Sequence, residues 1–192
     1  MAQTLGKREQ RRARQRQQQM KGNLLRGGVG VAVLAVIGFI VWQGVRPRPG
    51  EEIPIMSSSH IPVDSDPGQY NSDPPTSGPH YPEEAQAGFY DTNSYQYPAG
   101  YLVHNLEHGY VIYWYNCTSL SENACSELKS QIEAVMNEVN NVKVIAYPWD
   151  SIDIPVVMTS WERLQKMETF DATQAHAFYK TNLNHSPEPN AP

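Results

Sequence analysis

Cysteine is nearly absent from this chain: 192 residues hold two, Cys117 and Cys125. They do not form Cys-x-x-Cys, which argues against a redox or metal role for the thiols. A pair closing a nine-residue loop reads instead as a disulfide, worth ~2.5 kcal/mol if chain entropy sets its value. Positive charge is scarce beyond residue 26. Residues 1–26 carry eight Lys and Arg against one Glu, a net +7. The other 166 residues carry seven against nineteen Asp and Glu, a net −12, and the two make the chain's −5. An acidic body lacks the phosphate contacts that supply most nucleic-acid affinity, so no nucleic-acid partner is expected. Also missing are an internal repeat and a nucleophile paired with a base, and the second absence favours binding over catalysis.

What is present begins with that basic head, expected to be a cytoplasmic tail over residues 1–26. Gly27 to Val45 follows without a charge, and 19 residues of helix span about 28 Å, near the ~30 Å hydrocarbon core. This predicts an uncleaved transmembrane helix over 27–45. The excess of Lys and Arg before it places the N-terminus in the cytoplasm and the rest outside the plasma membrane. A cleaved signal peptide is the competing reading, but no small-x-small cleavage site follows Trp42. The membrane itself is then a partner through the anchor, and a membrane protein complex is a further possible one. Residues 46–66, rich in Pro, Ser and Gly, read as a flexible stalk in which His60 is a lone, solvated histidine.

A domain is expected over 67–185, with a disordered tail over 186–192. Its first part, to Gly100, has no sustained period and enough tyrosine to pack as an irregular layer. Leu102–Tyr115 reads as a strand, rich in β-branched and aromatic residues. Ser119-x-x-Glu122 matches a capping box ahead of Leu128, Ile132 and Val135 at helical spacing. Val142–Tyr147 and Pro155–Ser160 read as strands and a hairpin pair, and Asp171 caps a last helix. The fold class is therefore α/β, a small mixed sheet in β-α-β-β-α order with two helices and an irregular Pro/Tyr-rich N-terminal layer, plus the transmembrane helix. The same order occurs in the second half of thioredoxin-like folds, and the β-α-β crossover should be right-handed.

Three histidines carry the functional question. His104-Asn105-Leu106-Glu107-His108 spells H-x-x-E-H, which on a helix lets both imidazoles hold zinc while the Glu acts as base. Gly109 and the strand-like flanks argue against that helix. On an ideal strand the two rings would stand about 13 Å apart, so joint ligation requires a bulge or turn between them. Given one, His80 at the end of the Pro/Gly-rich loop 73–80 is the third ligand. Imidazole suits zinc and copper, and a thioether such as Met158 would tilt the choice to copper. The alternative is that these are packed histidines bonded to neighbouring carboxylates and backbone. His176 and His185 read as structural or solvent-facing.

The loop Tyr70-Asn71-Ser72-Asp73-Pro74-Pro75-Thr76-Ser77-Gly78-Pro79-His80, then His104 to Gly109, and later Ala146-Tyr147-Pro148 and Thr159-Ser160-Trp161, resemble a known family. It is the bacterial membrane-anchored family of unknown function DUF3105, and the likeness covers about residues 68–183. The resemblance implies an N-terminal anchor and an extracytoplasmic domain, and it implies no established reaction. It carries over to Asp73, His80, His104, Glu107 and His108. Trp149-Asp150 departs from it, where a small residue and often a methionine is expected. The expectation is thus an anchored extracytoplasmic domain that holds copper or zinc for storage, delivery or sensing. His80, His104 and His108 are the ligands, and Asp73 and Glu107 orient their imidazoles. The alternatives are a metal-free interaction module or accessory subunit of a membrane complex, and a metal-dependent hydrolase using Glu107.

Overall fold

A computed structural model describes residues 6–44 and 47–191. The chain divides into two units, Met1–Pro47 and Arg48–Pro192. Among its described residues the first contains one 38-residue helix, α1, Lys7–Gly44. It corrects the expected membrane span. Among the described residues, no helix is long and apolar enough to cross a membrane. The charge-free stretch is weakened by Gly27, Gly28, Gly30 and Gly38, and the helix runs on from a head crowded with Arg and Gln. The single-pass anchor, the cytoplasmic N-terminus and the placement of the body outside the plasma membrane fall with it.

The second unit contains β1 (Glu51–Glu52), β2 (Gly88–Phe89), α2 (Ala99–Glu107), β3 (Val111–Tyr115), α3 (Glu122–Glu138), β4 (Val144–Pro148), β5 (Val156–Ser160), β6 (Arg163–Met167) and α4 (Ala172–Asn182). Six strands form one mixed sheet in the order β1-β6-β5-β3-β4-β2. β3 is central: it pairs in parallel with β4 through the α3 crossover and antiparallel with β5. The expected β4–β5 hairpin is replaced by β5–β6, which are joined through the tight turn at Trp161 and Glu162.

Side chains alternate along the strands, so each strand feeds two cores. Val111, Tyr113, Tyr115, Val144, Ala146, Val156 and Met158 face one core, which α3 closes with Leu128, Ile132, Val135 and Met136 and α4 with Ala175, Phe178 and Tyr179. Ser121 caps α3, accepting from the Ala124 amide, two residues later than the capping box suggests. Asp171 caps α4, accepting from Thr173 and Gln174. Those amides hold its carboxyl below the usual carboxylate range. Cys117 and Cys125 form a disulfide across the start of α3, their Cα atoms 5.4 Å apart.

Ile112, Trp114, Ile145, Tyr147 and Val157 face the opposite core, which is closed by α2 through Leu102, Val103 and Leu106 and by loop residues such as Ala85, Ile152 and Trp161. Tyrosines of the loop layer lean on it, and burial pushes the Tyr147 phenol up to about 12. Residues 51–61 belong to this unit and do not form a free stalk. β1 pairs with β6, the Ile53 amide donates to Glu162 O, and the Ile61 amide donates to His80 O.

Candidate functional site

The expected strand over Leu102–Tyr115 is two elements. Helix α2 occupies Ala99–Glu107 and β3 begins only at Val111. Leu102, Val103 and Leu106 are fully buried, and a helix places all three against the sheet where a strand would turn Val103 away. Gly109 ends the helix at φ +88, a left-handed conformation. Its amide donates to Leu106 O and the Tyr110 amide to Asn105 O, the two bonds of a Schellman stop. A Cβ on Gly109 would stand 2.7 Å from the Asn184 Cα, so the position has no room for a side chain. The glycine that argued for a bulge in a strand is the C-terminal stop of a helix.

That helix solves the 13 Å problem. His104 and His108 lie on consecutive turns, and their Nε2 atoms are 2.8 Å apart. His104 Nδ1 lies 2.5 Å from Tyr81 O, a contact in which only the ring nitrogen can be the donor. His80 Nδ1 likewise donates to Gly78 O at 2.8 Å. His104 is thereby held with its proton on Nδ1, leaving its Nε2 as the nitrogen that accepts or ligates. His80 is fully buried, and its Nε2 meets Glu107 Oε2 at 2.8 Å.

His60, read as a lone stalk histidine, belongs to this cluster. Its backbone bridges to His80, and its ring stacks on His104 at 5.2 Å with 12° between planes. The His60 side chain is 52% exposed, and its Nε2 is 3.8 Å from Glu107 Oε2. No local spacing connects residue 60 to 104; the link is the bridge to His80. Two acidic groups with no signal in the sequence also stand here. Glu84 lies close to the His104–His108 pair, and Glu188 Oε2 is 3.6 Å from His108 Nε2. The tail that carries Glu188 is tied down: its amide donates to Glu107 O, and Lys143 Nζ gathers His108 O, Pro189 O and Ala191 O. Burial lowers the Lys143 pKa.

Among the described residues, two sets of three groups are close enough to share an ion, each with its ligand atoms within 4.8 Å of one another. One is Glu84, His104 and His108; the other is His60, His80 and His104. The three histidines singled out in the sequence are therefore divided between two sets that meet at His104. Asp73 belongs to neither, and its Oδ1 accepts from the Trp149 indole at 2.7 Å. Trp149, the departure from the expected pattern, is what occupies that carboxylate. Met158 is buried in the core beneath α3 and α4, which removes it as a thioether ligand. His176 pairs with Glu138 at 2.7 Å, and neither it nor His185 is in either set.

The profile of one family, described as "Protein of unknown function (DUF3105)", matches residues 63–192. The chain belongs to DUF3105. The match takes in Glu84, the whole of α2 and Glu188, while His60 lies just before it. No curated protein and no solved structure matches the chain.

Proposed function

We propose that this DUF3105 domain binds one divalent transition-metal ion, zinc before copper, at His104, His108 and Glu84. Its service is storage, delivery or sensing. The observation that carries the reading is the 2.8 Å approach of two Nε2 atoms from consecutive turns of α2. His104 Nε2 is the acceptor in that contact, so either the Nε2 proton of His108 or a cation in its place fills the space between the two nitrogens. Tetrahedral bonds of ~2.0–2.1 Å set two nitrogens about 3.3 Å apart, so the pair opens by about half an ångström to admit zinc. Backbone carbonyls orient His104 and His80 in the manner usual for metal-binding imidazoles.

The donor set is nitrogen and oxygen without sulfur, which suits zinc or copper(II) better than copper(I). Glu107 supports binding over hydrolysis. Although it lies within H-x-x-E-H, its carboxylate is turned to His80 Nε2 and engaged there at 2.8 Å.

The test is zinc content of the purified full chain after equilibration with excess zinc and removal of the loose ion. Wild type should retain one equivalent. His104→Ala should retain none, and His108→Ala should bind at least about tenfold more weakly, the low end for disturbing a metal site. Wild type retaining no more zinc than His104→Ala refutes the reading.

A further inference from the structure

The two three-residue sets share His104, and its chemistry limits both. His104 contributes to both, yet its Nδ1 is held by Tyr81 O at 2.5 Å. A single lone pair, on Nε2, is left for both sets, and one lone pair takes one cation. Resting on the binding reading above, we propose that the sets are two alternative seats for the same ion, with His104 as the pivot between them. The protein exchanges its metal by passing it across that ring.

The seats differ in chemistry. Glu84, His104 and His108 combine two imidazoles with a carboxylate, and Glu188 adds a second negative charge 3.6 Å from His108. Opposite charge stabilises a dication, so this is the resting seat. His60, His80 and His104 form the exchange seat, with one carboxylate beside them: Glu107 Oε2 is 2.8 Å from His80 Nε2 and 3.8 Å from His60 Nε2. His80 is fully buried there, and its Nε2 must give up its contact with Glu107 to take the ion, which makes this the weaker seat. His60 is the exposed member: half its side chain reaches solvent while its ring is stacked on His104. A ring in that position can take an ion from solvent or an acceptor and hand it to His104, so the ion never has to shed all its ligands at once. Each transfer replaces one metal–ligand bond by another and leaves the charge of the ion unchanged.

The experiment follows zinc in the full chain, its stoichiometry first and then its rate of transfer to a chromogenic chelator. Wild type should bind one equivalent. His60→Ala should keep that equivalent, with affinity changed less than about tenfold, and release it several-fold more slowly. Glu84→Gln should do the reverse, weakening retention while leaving fast exchange. His60 acts through its exposed ring, and the backbone bridge to His80 does not need that side chain. Two equivalents bound at once, or release from His60→Ala at the wild-type rate, overturns the two-seat inference while leaving the binding reading intact. Wild type that binds no zinc overturns both.

Discussion

The two faces of the sheet draw on the same strands and differ in what covers them. Beneath α3 and α4 the contacts come from two amphipathic helices, with Leu128, Ile132, Val135 and Phe178 at helical spacing. On the other face the cover is one short helix and a long irregular layer, with Trp114, Tyr147 and Trp161 in the core and Tyr90, Tyr97 and Trp149 packed against it. Helices satisfy their own backbone and need only apolar contact from the sheet. The irregular layer must find partners for its backbone polar groups, and side chains supply several: the Tyr147 hydroxyl donates to Tyr97 O, and Asn105 bonds both ways with Ala85. A surface made of such fixed polar contacts can also fix imidazoles, and all four clustered histidines lie on α2 or in the loops.

If the faces divide stability from function, substitutions on each should separate the two. Phe178→Ala, under the helices, removes a fully buried ring and should cost about 3–5 kcal/mol in denaturant unfolding. Zinc bound per folded molecule should not change. A loss of zinc alongside an intact fold would break the division. Asn105→Ala, on the loop-covered face, leaves the buried Ala85 amide and carbonyl without their partners and should cost about 1–3 kcal/mol. Because Ala85 adjoins Glu84, this smaller loss should be accompanied by weaker zinc retention. Unchanged retention would mean that the loop layer does not position the ligand.

The same contrast decides what could be read in advance. The α3 stripe and the Asp171 cap are local patterns, and a helix following either pattern has little alternative. β6 was hidden because Arg163, Gln165 and Lys166 make it look like a loop; only Leu164 and Met167 turn inward. In α2, Tyr, Val and Leu beside Gly109 imitated a strand, and a nine-residue helix has too few turns to declare a period. His104, Glu107 and His108 were visible as a motif, and His80 as the end of a distinctive loop. His60, Glu84 and Glu188 were not, since each reaches the cluster by a contact with no counterpart in spacing. Asp73 was visible in the same loop as His80, and its neighbour in space, Trp149, donates to its carboxylate. The apolar run in α1 had the length of a membrane span, but glycine dilutes it.

The most direct test of the central claim is X-ray absorption at the zinc edge of the zinc-loaded full chain. The account predicts a nitrogen and oxygen shell at about 2.0–2.1 Å with the outer scattering of two or more imidazoles, lost in His104→Ala. A shell of oxygen alone, or the same imidazole signal persisting in His104→Ala, contradicts it.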